Sequence, residues 1–194
     1  MSALIWGHSF VRRMEVFLRS APLSLHEQFS YVFFQGKPGA KLGDLYESTD
    51  FIQTTDPRVL LLDIGFNDLT DPGIDPYRFA TDLIAQAGKI LFSSPNSIQC
   101  IVVMQIFHRG SAWQPGPGQR SMAEFNQAVD LANYYLKVES RHLSGIKFFQ
   151  VRKMSLNFEQ YLTDGVHFNA LGMKKYRTNY RGALLEGYKL SKWD

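Results

Sequence analysis

The chain has 194 residues, 45% of them hydrophobic and 14% aromatic, with a formal net charge of +3. This length and apolar content predict one globular domain over residues 1–194 with a substantial core, and exclude a disordered or low-complexity chain. The lone cysteine, Cys100, excludes an internal disulfide, and no run approaches the roughly 20 apolar residues that a membrane span requires.

The chain enters Ala3-Leu4-Ile5-Trp6 without a basic region or a long apolar run before it, so a soluble, cytoplasmic protein or a domain of a longer one is expected. Ala3–Trp6 reads as the first strand, and Phe10–Ser20 as a helix after it. Tyr31–Phe34 reads as a second strand, followed by a helix over Asp44–Gln53. Val59–Ile64 and Cys100–Ile106 are nearly all apolar, as strands covered on both faces must be, and Cys100 should be buried and inert there. Between them Asp75-Pro76 supplies an N-cap and a proline at the first helical position. Phe79, Leu83, Ala87, Ile90 and Leu91 then form the buried stripe. Ser121-Met122-Ala123-Glu124 fits a capping box, with Phe125, Ala128, Val129, Ala132, Tyr135 and Leu136 as the apolar face. Lys147–Val151 is the last strand, and a final helix is expected from Ala170 to about Glu186. Short apolar runs alternating with helical segments predict a parallel sheet with crossover helices.

In such a sheet, ligands bind beyond the carboxyl ends of the strands. Four groups suited to chemistry fall there. Ser9, in Gly7-His8-Ser9, follows the first strand, where its hydroxyl and N–H stand at a positive helix end. Gly39 follows the second and offers a backbone N–H with no side chain in the way. Asn67, in Gly65-Phe66-Asn67-Asp68, follows the third with an amide that can donate to a developing oxyanion. Asp164 and His167, in Asp164-Gly165-Val166-His167, follow the fifth at a spacing that lets the carboxylate hold the imidazole. A serine hydroxyl needs such an oriented base to act as a nucleophile. Taken singly, each group is equally the mark of a helix cap, a turn or a loop histidine.

Gly7-His8-Ser9, Pro38-Gly39-Ala40-Lys41-Leu42-Gly43-Asp44-Leu45, Gly65-Phe66-Asn67-Asp68 and Asp164-Gly165-Val166-His167-Phe168-Asn169 follow the order of the blocks of the SGNH, or GDSL-type, hydrolases, and the resemblance spans almost the whole chain. It implies an α/β architecture: a three-layer flavodoxin-like fold whose five-stranded parallel sheet carries helices on both faces. It also implies Ser9 as nucleophile and first oxyanion donor, Gly39 and Asn67 as the other donors, His167 as base, Asp164 as its partner, and no cofactor or metal. The family usually has Asp between the glycine and the serine. This chain has His8, which alters the loop or touches the substrate. The short blocks and compact size also look similar to esterase domains in the first-open-reading-frame proteins of LINE-type retrotransposons, and to acetylhydrolases of the platelet-activating-factor type.

The expected activity is hydrolysis of short, acetyl-like carboxylic esters of a lipid or carbohydrate alcohol through an acyl-enzyme. Phe10, Phe66, Phe168 and Trp113 are candidate walls of the acyl pocket, and residues 110–118 its lip. Two other readings stay open. Residues 174–194 carry six basic residues against Glu186 and Asp194, and Lys174, Arg177 and Arg181 share a helix face, which suits a weakly catalytic binding module for anionic lipid or RNA. A metal-dependent phosphoesterase would need ligands from His8, His26, His108, His142 and His167, which are scattered.

Overall fold

The computed structural model describes residues 1–20, 25, 27–93, 97–154 and 158–192; His26 and Asp194 lie outside them. Among the described residues five strands form one all-parallel sheet: β1 (Ser2–Gly7), β2 (Tyr31–Gly36), β3 (Val59–Asp63), β4 (Cys100–Met104) and β5 (Ile146–Phe149). Their order is β2-β1-β3-β4-β5. Every residue of β3 and β4 is buried, the free thiol of Cys100 included, so these strands have no solvent face and no need of polar alternation. Each fully buried Leu, Ile or Val there contributes about 1.5–3 kcal/mol relative to leaving it exposed.

Among the described residues six α-helices accompany the strands, five in the connections and the last after β5: α1 (Ser9–Ser20), α2 (Leu42–Glu47), α3 (Thr49–Thr55), α4 (Pro76–Ser93), α5 (Met122–Glu139) and α6 (Ala170–Leu190). Helices α1 and α6 touch each other and pack on β2, β3 and β4, while α4 and α5 pair and cover the opposite face over β4 and β5. This is the three-layer flavodoxin-like arrangement.

The start signals act as the sequence implies. Asp75 Oδ1 accepts from Arg78 N at 2.8 Å ahead of α4, and Ser121 with Glu124 forms a reciprocal capping box ahead of α5. The helix expected over 44–53 is instead two short ones, broken at Ser48, whose hydroxyl donates to Asp44 O at 2.9 Å. Serine competes for local backbone groups in this way and ends turns that a better helix former would continue.

The fourth strand stops at Met104, short of Ile106. Beyond it, Asn133 of α5 accepts from Ile106 N at 2.9 Å and donates to Ile106 O at 2.8 Å, and Asn126 does the same for Arg109 at 2.8 and 3.1 Å. Asn179 of α6 treats Arg152, after β5, alike at 2.7 and 3.2 Å. Three side-chain amides thus replace a neighbouring strand for chain that has left the sheet, and they fix the loops at its carboxyl edge.

Candidate active site

The chain order reverses between β1 and β3: the connection from β1 runs to one edge, that from β3 to the other. A crevice forms at such a switch point. Here it is a cleft of about 640 Å³ lined by Ser9, Gly39, Asn67 and His167, together with Phe66, Arg109, Trp113 and Val166 among others. A larger groove of about 720 Å³ runs beside β5, but none of the described histidines lines it.

Ser9 is the first residue of α1, so no preceding turn accepts its N–H, and hydroxyl and N–H stand together at the positive end of the helix. His8 takes the capping role: its Nδ1 accepts from Phe10 N at 3.4 Å and its carbonyl from Val11 N at 3.1 Å. Gly39 has φ +78°, with open space where a Cβ would stand. Backbone conformation, not crowding, is therefore what calls for glycine. The turn's hydrogen bond runs from Ala40 N to Lys37 O at 3.0 Å, which leaves the Gly39 N–H outside it.

Asn67 donates one amide N–H to Ala40 O at 2.9 Å, and the amide carries a second. The adjacent Asp68 accepts from Leu42 N at 2.9 Å, so two consecutive residues tie the loop after β3 to the loop after β2. Burial raises the Asp68 carboxyl above its ordinary range, against the Leu42 N–H that lowers it. Arg120 holds the far side, donating to the carbonyls of Leu69, Asp71 and Ile74 at 2.6–2.7 Å and of Pro72 at 3.3 Å.

Asp164 Oδ2 meets His167 Nδ1 at 2.8 Å, and its Oδ1 accepts from His167 N at 2.7 Å and Val166 N at 3.0 Å. Partial burial pushes this carboxyl up, but the imidazole and the two backbone N–H groups outweigh it and bring it down to about 2. An ionised Asp164 fixes the proton on Nδ1 and leaves Nε2 as the basic nitrogen. Gly165, at φ +76°, lets this turn close against the lip: a Cβ would lie 2.3 Å from Trp113 N, and Gly110 N donates to Gly165 O at 2.8 Å.

Ser9, Gly39, Asn67 and His167 therefore face one cleft and Asp164 buttresses His167 from outside it, while no direct hydrogen bond joins Ser9 to His167. Phe66 and Trp113 wall the cleft and Gly118 belongs to its lip, but Phe10 and Phe168 do not reach it: both are core residues, their rings 4.8 Å apart under the site.

His8 does not touch the cleft either. It is buried, its ring lies 4.8 Å from Phe10 and 5.6 Å from Phe66, and its Nε2 points to Asp63 Oδ1 at 3.6 Å. Asp63 Oδ2 in turn accepts from Tyr176 OH at 2.6 Å and Tyr180 OH at 2.5 Å. Desolvation lowers the His8 pKa against the pull of Asp63, so the ring stays neutral at pH 7, consistent with Nδ1 acting as acceptor. Lys174 and Arg181 are exposed on α6, outside the residues lining the cleft. Among the described residues no three His, Cys, Asp or Glu side chains converge on a common point, and no helix is long and apolar enough to cross a membrane.

No protein-family model matches the chain, and no curated protein matches its sequence. Solved structures share its fold. A GDSL-like lipase from Bacteroides thetaiotaomicron superposes with a TM-score of 0.74 at 15% identity, over 95% of this chain and 88% of that one. A family 3 carbohydrate esterase from Clostridium thermocellum superposes with 0.66 at 16% identity, over 98% of each chain. An acetyl xylan esterase superposes with 0.65 at 16% identity, over 95% of this chain and all of the other. The chain thus shares its fold with this lipase and these esterases. The resemblance to retrotransposon esterase domains draws no support from these comparisons.

Proposed function

We propose that the protein is a serine esterase that hydrolyses short, acetyl-like carboxylic esters through an acyl-enzyme. The observation that carries this reading is the cleft at the switch point, where Ser9, Gly39, Asn67 and His167 converge while Asp164 holds His167 Nδ1 at 2.8 Å. The fold neighbours that act on esters, an acetyl xylan esterase and a carbohydrate esterase among them, agree with it and favour an acetylated carbohydrate or similar alcohol as substrate.

In this mechanism His167 Nε2 takes the Ser9 hydroxyl proton as Oγ attacks the ester carbonyl carbon. The carbonyl π electrons move to oxygen, and the Ser9 N–H, the Gly39 N–H and the free N–H of Asn67 donate to that oxyanion. Collapse breaks the bond to the alkoxy oxygen, which leaves as the alcohol with the proton from His167. Water, deprotonated by His167, then attacks the acyl carbon; the bond from that carbon to Ser9 Oγ breaks, Oγ takes the proton back from His167, and the carboxylic acid leaves. Asp164 stays ionised throughout and steadies the imidazolium. Ser9 and His167 need to close on each other only when substrate fills the cleft, as catalytic hydrogen bonds do in many enzymes.

Reaction with a fluorophosphonate probe, followed by mass spectrometry, tests nucleophile and base together. An adduct on Ser9 that is lost in His167→Ala is expected. A Ser9→Ala protein that hydrolyses 4-nitrophenyl acetate as fast as the parent overturns the mechanism. If no ester turns over and salt-sensitive RNA or liposome binding survives Ser9→Ala, a binding role for Lys174, Arg177 and Arg181 takes its place.

A further inference from the structure

Arg109 lines the cleft beside Ser9 and His167, yet it is only 7% exposed. Its guanidinium carbon lies 3.8 Å from the Trp113 ring centroid, 4.2 Å from Phe125 and 4.6 Å from Phe66. Nη2 donates to Thr70 Oγ1 at 2.7 Å, which is the only hydrogen bond the guanidinium makes with the described residues, and Nε is buried without a partner. No described carboxylate lies within ion-pair distance of it. Burial pushes its pKa down to about 10, so it remains a cation at neutral pH. Buried cations in proteins are paired, since an uncompensated one is costly.

Among the described residues the sole carboxylate lining the cleft is Asp71, which is exposed and whose Oδ1 accepts from Gly73 N at 2.8 Å; Lys41 adds a second cation at the rim. The cleft is thus missing one negative charge, and a substrate can supply it.

We infer that Arg109 is a specificity residue that binds a carboxylate carried by the ester substrate, so that the preferred substrates are esters of anionic molecules. This rests on the esterase reading of the same cleft. The aromatic rings crowd the guanidinium carbon, and with Nε buried and one Nη2 N–H on Thr70, the Nη1 N–H groups and the second Nη2 N–H are the ones without a partner among the described residues. A planar carboxylate lying in the plane of the Nη1–Nη2 fork makes two parallel bonds.

The test uses the unaltered protein first, with matched ester pairs. Mono-4-nitrophenyl succinate against 4-nitrophenyl butyrate places the charge on the acyl side, and 4-acetoxybenzoate against 4-acetoxybenzamide places it on the alcohol side. In at least one pair kcat/KM should favour the anionic member about tenfold or more, since truncating one partner of a buried hydrogen-bonded charge pair costs at least that much. In Arg109→Gln the ratio of anionic to neutral kcat/KM should fall to about one or below, and in Arg109→Lys, which keeps the charge but not the fork, it should lie between. A merely structural Arg109 would lower both members together and leave the ratio unchanged.

Preference for the neutral ester in both pairs overturns the inference while leaving the esterase intact. Calorimetric titration of Ser9→Ala protein with 4-acetoxybenzoate gives a readout without turnover: saturable binding, lost in the Ser9→Ala/Arg109→Gln double variant, supports the carboxylate site even if the serine mechanism fails. Equal binding of 4-acetoxybenzamide, or tighter binding of inorganic phosphate, overturns it.

Discussion

Asp164→Asn separates the two things Asp164 does. As a carboxylate it accepts from two backbone N–H groups at 2.7 and 3.0 Å and from His167 Nδ1 at 2.8 Å. An asparagine can keep its carbonyl oxygen on the backbone N–H groups, so the turn survives. Its NH2 then faces Nδ1, however, and drives the imidazole proton to Nε2, the nitrogen that must accept from Ser9 in the proposed mechanism. The wrong tautomer should cost on the order of 10³–10⁴ in kcat with little change in KM.

The stability effect has its own pH signature. The folded carboxyl sits at about 2, against about 3.9 in an unfolded chain. A fully buried group with that difference would contribute about 2.6 kcal/mol. With the Asp164 side chain 54% exposed, solvent screening reduces this to about 1 kcal/mol. Because folding lowers the pKa, the contribution is complete above about pH 4 and is lost as the pH falls through about 2. Steady-state hydrolysis of 4-nitrophenyl acetate, with urea unfolding at pH 7 and pH 2.5, checks both parts. If Asp164→Asn keeps kcat within about threefold of the parent while remaining folded, the tautomer argument is wrong.

Asn67→Ala removes an oxyanion donor and should lower kcat about 100- to 1000-fold; the lost bond to Ala40 O adds about 1 kcal/mol of destabilisation, measurable by urea unfolding. Arg120→Ala leaves four loop carbonyls without their charged donor and should cost about 1–3 kcal/mol, with hydrogen exchange accelerating in residues 69–74 and not in β4. Asp63→Ala strands two buried tyrosine hydroxyls beside His8, so a loss of about 3–5 kcal/mol in unfolding free energy is expected; a protein as stable as the parent would show that this network carries no weight.

The strands and most helices were legible because their signals are local: uninterrupted apolar runs for β3 and β4, a capping box before α5, Asp-Pro before α4. From strand order alone, Ser9, Gly39, Asn67, Asp164 and His167 had to emerge at one sheet edge, and the structure places them there. What stayed hidden depends on contacts between residues far apart in the chain. Asn126 and Asn133 look like tolerated polar interruptions of an apolar helix face, and only the loop after β4 lying against that face reveals them as clamps. Phe10 and Phe168 carry the same apolar signal as Phe66 and Trp113, so no reading of residue type could divide core from cleft. Arg109 gave no signal either, since a lone arginine in a polar loop is ordinary until three aromatic rings close over it.

His8 shows how much a single neighbour can mislead. Beside the serine it reads as a change in the loop or as a substrate contact. The parallel register pairs Gly7 with Asp63, and a Cβ at Gly7 would stand 2.1 Å from Asp63 O, so β1 and β3 approach too closely for any side chain there. The next residue is therefore aimed at the Asp63 carboxylate beneath the sheet edge. An acidic residue at position 8 would set two carboxylates face to face with only Tyr176 and Tyr180 to share. A neutral histidine gives Asp63 a third polar neighbour through Nε2 and still caps α1 through Nδ1. The departure at position 8 and the buried acid at position 63 thus form one compensated pair. Its work is to hold the first turn of α1, and with it the Ser9 N–H and hydroxyl, at the angle the cleft requires. His8→Asp should accordingly destabilise the protein by several kcal/mol at pH 7, through like-charge repulsion in a desolvated site, and Asp63→Asn in the same chain should recover a large part of that loss. Urea unfolding of the two single variants and the double variant measures this coupling, and strictly additive effects would refute the pairing.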